Sequence, residues 1–270
     1  MKSEESMKAY GADLKTLYLF LKERKKNWHR ADPQDFSDLF IRFQEKGNKD
    51  NTIQRRRACY RKFYKYLLRI NKIKDDPTLI LDDIPLKSVQ PNPKSLDKEQ
   101  RENLIACLKF DTRINCMKSM AVILGMQHGL RLHEIAKIKW SDFDREKKRL
   151  TVLGKGRKLA TIPMSQLLFN ITPPNPAPEF VFQQCEGHWD KGTIARWIIS
   201  VARDWAGFGP EIHFSTHTLR HCFCTAIAEM NVPIQYAIRL TRHSSVETYI
   251  KNYVKLEETE IDKFHSEVFK

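Results

Sequence analysis

The stretch MKSMAVILGMQHGLRLHEIAKI, residues 117–138, decides the fold of the larger part of this chain. Its first half is apolar on all sides, which predicts a buried helix, and a turn and a second helix follow. Downstream, residues 149–164 (RLTVLGKGRKLATIPM) place two β-rich runs around a glycine-containing turn, a pattern typical of a hairpin. Helical spacing returns from Asp190 onward. These patterns predict a larger domain that is mostly α with a small β-sheet.

The composition indicates a folded protein with a polyanionic partner. The 270 residues are 41% hydrophobic and 30% charged, which excludes a disordered chain, and the net charge is +14. Because phosphates neutralised by lysine and arginine release counterions, nucleic acid is the leading class of partner. The six cysteines show no disulfide-framework spacing and the N-terminus lacks the apolar core of a signal peptide, which predicts a reducing, cytoplasmic location. The longest apolar runs are too short to cross a bilayer, so no membrane partner is expected.

The N-terminal part has the spacing of separate amphipathic helices. Apolar residues recur at helical intervals between residues 10 and 21, and a second helix is predicted over residues 35–44. In a third helical segment, residues 51–73, apolar and basic residues alternate, so that one face can pack while the other meets phosphates. The residues predicted to bind DNA there are Arg55, Arg56, Arg57, Arg61, Lys62 and Lys65.

A proline-rich stretch separates the two parts of the chain. Residues 75–97 contain four prolines among acidic and small residues, which breaks helical periodicity. A length of 270 residues also fits two domains. We therefore predict a helical domain at residues 1–85, a linker at residues 86–97 and the larger domain at residues 98–270.

Four motifs of the larger domain carry its most reactive side chains. They are HGLRLHEIAKIKWSDFD (128–144), LGKGRKLATIP (153–163), HTLRH (217–221) and RHSSVETYIKNY (242–253). HTLRH is the most informative, because three cationic or ionisable residues beside an apolar helix point to a bound anion. Together and in this order, the four motifs resemble the tyrosine recombinase (phage integrase) family in its compact, Xer-like form. The resemblance implies a helical, SAM-like core-binding domain followed by a catalytic domain.

The resemblance also implies one site that breaks a phosphodiester bond. Two guanidiniums suit this task, because they are rigid, permanently charged and bidentate toward phosphate oxygens. By the same resemblance, Lys155 would act as general acid, His217 as base or proton relay, and His243 as a hydrogen-bond donor to the phosphate. The catalytic residues implied are Arg131, Lys155, His217, Arg220, His243 and Tyr253, with Glu134 and His221 in supporting positions.

The nucleophile departs from the family pattern in two ways. The glycine that commonly precedes the motif histidine is Arg242 here, and the tyrosine that usually follows His243 by nine positions is replaced at that spacing by asparagine. Tyr253 is one position late, which a one-residue insertion in the intervening turn would absorb. We therefore predict Tyr253 as the nucleophile and Tyr249, one helical turn earlier, as the second choice. Tyr236 is interpreted as a packing residue.

The function implied is site-specific DNA recombination, in which strands are cut and rejoined through a 3′-phosphotyrosyl intermediate without a cofactor. The implied partners are a double-stranded recombination site, further copies of the chain in a homo-tetramer on DNA, and accessory proteins, while the free protein would be a monomer. Two alternatives stay open: a relaxing enzyme similar to type IB topoisomerases, and a catalytically silent DNA-binding protein, which the displaced tyrosine favours.

A zinc site is a further alternative for the HTLRH region. Its ligands would be His217, His221, Cys222 and Cys224. However, Cys-x-Cys points its two thiols to different faces of a helix, and no Cys-x-x-Cys is present. We therefore expect no metal, and a structural role for His221, Cys222 and Cys224.

Overall fold

The computed structural model describes residues 4–85, 95–154, 159–174, 179–183, 188–243, 245–253 and 266. Its contacts divide the chain into two compact units, Met1–Gln90 and Pro91–Lys270. Helices predominate, and a three-stranded sheet lies in the second unit. The prediction of a mostly α chain with a small sheet is therefore confirmed. In the described ranges, no helix is both long enough and apolar enough to span a membrane.

The first unit is a helical bundle. Its elements are α1 (Glu4–Glu23), α2 (Pro33–Glu45), α3 (Asp50–Arg69) and a 3₁₀ helix (Pro77–Asp82). Each α-helix buries one apolar stripe, as the spacing predicts, and the largest fully buried side chains are Leu17, Leu21, Phe36, Phe40, Tyr60 and Tyr64. Leu81 of the 3₁₀ helix is also fully buried in this core. The first part of the proline-rich stretch therefore packs with the first unit.

The second unit surrounds one apolar helix. Its helices are α4 (Lys98–Ala106), α5 (Arg113–Met126), α6 (Leu132–Ile135), α7 (Gln166–Ile171), α8 (Lys191–Ser200), α9 (Thr216–Glu229), α10 (Ile234–Thr241) and α11 (Val246–Tyr253), and a π-helical turn, Val201–Trp205, continues α8. Every residue from Ser119 to Met126 of α5 is buried, so the buried helix predicted from the sequence is present. Leu96 is also buried in this unit, and its N–H lies 3.4 Å from Sγ of Cys222. The packed part of the second unit therefore begins before residue 98.

The sheet is antiparallel and follows chain order. Its strands are β1 (Phe143–Asp144), β2 (Arg149–Leu153) and β3 (Leu159–Pro163), paired in the order β1-β2-β3. The β2–β3 register runs from Arg149 opposite Pro163 to Leu153 opposite Leu159, which is the predicted hairpin. Its tip, residues 155–158, lies outside the described residues.

Helix α9 links the central helix to the C-terminal helices. A Cβ at Gly125 of α5 would come within 2.8 Å of Cδ1 of Leu219, so the glycine allows α5 and α9 to approach closely. On its other side, α9 shares a small apolar cluster with α10 and α11 that includes Cys224, Ala237 and Tyr249. This packing brings the first, third and fourth motifs of the sequence side by side.

Candidate active site

Arg220 lies at the centre of the candidate site. Its guanidinium is almost fully buried and donates from Nη1 to the carbonyl of Gly129 and from Nη2 to the carbonyl of Thr241 (2.5 Å). Burial, followed by the positive charge of Arg131, lowers the pKa of Arg220 to about 10. The two arginines that the sequence analysis paired are thus close enough to repel each other, an arrangement suited to holding an anion between them.

Arg131 is the more accessible of the two arginines and is held by Glu134. The backbone N–H of Arg131 donates to Oε2 of Glu134 (2.7 Å), and Nη1 donates to Oε1 (3.1 Å). The side chain of Glu134 is fully buried, whereas that of Arg131 is 29% exposed. Glu134 therefore holds Arg131 in place and leaves its guanidinium partly open to solvent; its supporting role in catalysis stays a prediction.

Arg242 is a third guanidinium of this site, which the sequence analysis noted only as a departure from the family pattern. It ends α10 in the left-handed conformation, with φ of 55°, where glycine is favoured. Its Nη2 donates to Oε2 of Glu134 (3.1 Å) and to the carbonyl of Gly129 (3.0 Å), and its Nη1 donates to the carbonyl of His128 (3.1 Å). These contacts offset the backbone strain. The sequence signal was a bulky residue at a helix end where the family commonly has glycine.

The three histidines of the site differ in their surroundings. His217 is exposed at the start of α9. His221, one helical turn later, lies with Nδ1 2.6 Å from the hydroxyl oxygen of Tyr253. Nδ1 of His243 lies 2.8 Å from Oγ1 of Thr241. The Thr241 hydroxyl donates to the carbonyl of Ala237, so Nδ1 of His243 must be the donor in its contact with Thr241. Nε2 of His243 takes no part in this contact.

The two candidate nucleophiles, Tyr249 and Tyr253, differ in burial and in the contacts of their hydroxyls. Tyr249 is 1% exposed, burial raises its pKa to about 12, and its hydroxyl has no hydrogen-bond partner among the described residues. Tyr253 is only partly buried, and its ring lies between those of His221 and His243, at centroid distances of 5.8 and 5.7 Å. Burial also raises the pKa of Tyr253, while the nearby Arg220 lowers it.

Tyr236 is 57% exposed, so its interpretation as a packing residue is wrong; it lies on the solvent side of α10.

Four of the six basic residues predicted to bind DNA contact the first unit itself. The pairs are Arg55 with Asp13, Arg56 with the ring of Phe43, Arg57 with the carbonyl of Ile84, and Arg61 with Asp82. Lys62 and Lys65 are exposed. DNA binding by this set stays a prediction, and the two lysines are its most accessible members. Lys155 lies outside the described residues.

The part of the chain that the structure describes holds no group of three or more histidine, cysteine or acidic side chains arranged to bind a metal ion. Cys222 and Cys224 are both buried, and burial raises the pKa of each thiol. A raised thiol pKa disfavours the thiolate form that zinc requires.

Two histidines with lowered pKa values, His128 and His243, predict a loss of stability in mild acid. Burial lowers the pKa of His128 and of His243 from 6.5 to about 4, and for His243 the charges of Arg220 and Arg131 add to the effect. Because the pKa is lower in the folded than in the unfolded state, their stabilising contribution is present above pH 6.5 and is lost as the pH falls toward 4. Urea unfolding across this window should show a falling free energy of unfolding, by up to about 1.4 kcal/mol per pH unit for the buried His128 and by less for His243, whose charge is partly screened by solvent. His243→Gln should make that fall shallower, and an unchanged slope would contradict the assignment.

Comparison with known families covers nearly the whole chain. Residues 94–260 match the phage integrase family, and residues 2–71 match the phage integrase N-terminal SAM-like domain. The chain therefore belongs to the phage integrase family. Within it, the chain is a tyrosine recombinase of the Xer-like type.

Relatives and solved structures agree with this assignment. Tyrosine recombinase XerD of Proteus mirabilis is 27% identical over 258 residues, which cover 91% of this chain and 81% of the relative. XerC of Pseudomonas syringae pv. tomato is 26% identical, with 91% and 84% covered. The fold is shared with the Tn1549 transposon integrase in complex with transposon right end DNA, at a TM-score of 0.78, 14% identity and coverage of 100% and 95%. It is also shared with the XerH recombinase bound to difH, at a TM-score of 0.74, 15% identity and coverage of 96% and 78%.

Proposed function

We propose that this chain recombines DNA at specific sites by cutting and rejoining strands through a 3′-phosphotyrosyl intermediate. The observation that carries this proposal is the proximity of Arg131 to Arg220 and of Arg220 to the hydroxyl of Tyr253, which comes from a different helix than either arginine. Family membership supports the same chemistry. The two arginines are donors for the non-bridging oxygens of the scissile phosphate.

In the proposed reaction, Oη of Tyr253 forms a bond to phosphorus as the bond from phosphorus to the 5′ oxygen breaks. The departing 5′ oxygen takes a proton, for which we propose Lys155 as the general acid. The neutral ring of His243 carries one proton, on Nδ1, and donates it to Thr241. The negative phosphate favours a second proton, on Nε2. From Nε2 the charged ring then donates to a phosphate oxygen. The phosphotyrosyl link keeps the energy of the broken bond, so attack by a 5′ hydroxyl rejoins the strands without a cofactor.

The proposed partner is double-stranded DNA carrying a recombination site. The net charge of +14 favours a polyanion, and the structural neighbours XerH and the Tn1549 integrase were solved in complex with DNA. We propose that residues 1–85 form the core-binding domain, that residues 86–97 link it to the catalytic domain at residues 98–270, and that four copies assemble on paired sites. A monomeric free protein and accessory proteins belong to the same proposal.

A nicked suicide DNA substrate tests this function. After cleavage, the small fragment downstream of the nick diffuses away, so the intermediate is trapped and a protein–DNA adduct should appear on denaturing gels. No adduct would support a catalytically silent DNA-binding protein. On intact DNA with two sites, joined recombinants are expected, and relaxation of supercoils without recombinants would support the topoisomerase-like alternative.

A further inference from the structure

We propose that His221 is a catalytic residue, which accepts the phenolic proton of Tyr253 during strand cleavage. The inference deepens the proposed function, because it assigns the base within that reaction. The resemblance to the family gave His217 as base or proton relay and placed His221 only in support. The geometry instead favours His221 as the base.

The contact between His221 and Tyr253 is short and is fixed by two packed helices. Nδ1 of His221 lies 2.6 Å from Oη of Tyr253, which is the distance of a strong hydrogen bond. His221 directly follows Arg220 on α9, so the same backbone positions the phosphate-binding guanidinium and the base. Among the described residues, His221 and not His217 hydrogen-bonds to this hydroxyl. A base must lie within hydrogen-bond reach of the proton that it removes, and His221 meets this condition before any substrate binds.

The electrostatics suit proton transfer in this direction. Burial raises the pKa of Tyr253, so the phenol needs a base in order to attack. Burial, followed by the charges of His217 and Arg220, lowers the pKa of His221, so the ring is neutral at neutral pH and Nδ1 can accept. The titratable and charged groups around His221 and the Tyr253 hydroxyl are His217, Arg220, His243 and Cys224, whose thiol also hydrogen-bonds to that hydroxyl.

The step balances within the active site. The Oη–H bond breaks and its proton moves to Nδ1, while Oη forms the bond to phosphorus and the 5′ oxygen leaves. The resulting imidazolium is adjacent to phosphate that carries negative charge, which stabilises it. When a 5′ hydroxyl attacks the intermediate, Oη of Tyr253 takes a proton back from the His221 imidazolium, and the group that protonated the 5′ oxygen during cleavage accepts the proton of the attacking hydroxyl.

The test is single-turnover cleavage of the suicide substrate by the full chain across pH. His221→Asn retains a hydrogen-bonding group but cannot take a proton, so we expect cleavage about 10²- to 10⁴-fold slower, with unchanged DNA affinity. The rate of the wild type should fall in acid as His221 becomes protonated, and this acid limb should be absent in His221→Asn. His213→Asn, which changes an exposed histidine just before α9, is the matched control and should cleave like the wild type.

A rescue experiment separates a base from a residue that only maintains structure. A fluorinated tyrosine at position 253 has a more acidic phenol, so in the His221→Asn background it should restore cleavage by at least about tenfold. The role of His221 would be overturned if His221→Asn cleaved at the wild-type rate or if its pH profile kept the acid limb. It would also be overturned if fluorinated tyrosine failed to restore cleavage in this variant. A wild-type protein that forms no adduct at all would instead remove the proposed function.

Discussion

Tyr253→Phe is expected to abolish the covalent protein–DNA adduct, whereas Tyr249→Phe is expected to leave it intact. Loss of the attacking oxygen removes the chemical step itself, so the rate should fall by about 10⁴-fold or more. The hydroxyl of Tyr253 contacts His221 and lies in the field of Arg220, whereas that of Tyr249 is buried without a partner among the described residues. Adduct formation on the suicide substrate, followed by mapping of the modified peptide, measures the difference.

Tyr249→Phe is a closely matched control, because it removes the same atom one helical turn away. Removing a buried, unpaired hydroxyl relieves a desolvation penalty of about 1 kcal/mol or more, so this variant should be as stable as the wild type or more stable. If Tyr249→Phe alone eliminates the adduct, the nucleophile assignment is wrong. If both variants form an adduct, neither tyrosine is the nucleophile.

Glu134→Ala is expected to lower the free energy of unfolding by about 3 to 5 kcal/mol, the largest effect on stability that we predict. Glu134 accepts from Arg131 and from Arg242, and the side chain of Arg242 is only 7% exposed. Without the carboxylate, the buried guanidinium of Arg242 loses its only ion-pair partner among the described residues. Cleavage should fall as well, because Arg131 loses the group that orients it. Chemical denaturation measures the first effect and the suicide substrate the second.

Two companion variants make this prediction specific. Glu102→Ala breaks an exposed pair with Lys98, in which the side chains are 70% and 83% exposed, and should cost less than about 0.5 kcal/mol. The double variant Glu134→Ala with Arg242→Gly should be more stable than Glu134→Ala alone, since it removes the uncompensated charge and places glycine at a left-handed position. A cost below about 1 kcal/mol for Glu134→Ala would show that the carboxylate is not needed to hold the guanidiniums.

The site was predictable where local sequence carries the information. Arg131, Glu134 and Arg220 were found from motifs, and the structure brings them together. The contacts of Arg242 and the pairing of His221 with Tyr253 were not predictable, because each joins residues far apart in the chain: Arg242 and Glu134 are separated by 108 positions, and His221 and Tyr253 by 32. The solvent-facing position of Tyr236 was missed for a related reason, since helical spacing alone does not say which face of α10 meets a neighbour.

The sequence by itself determined the elements: a buried α5, amphipathic helices before it, and a hairpin after it. Periodicity is sufficient for these, because burial repeats with the geometry of each element. Only the tertiary structure decided that Tyr253 rather than Tyr249 lies near Arg220, and that His221 contacts its hydroxyl. One residue along a helix turns a side chain by about 100°, so the surroundings of the displaced tyrosine depend on how α9, α10 and α11 pack together.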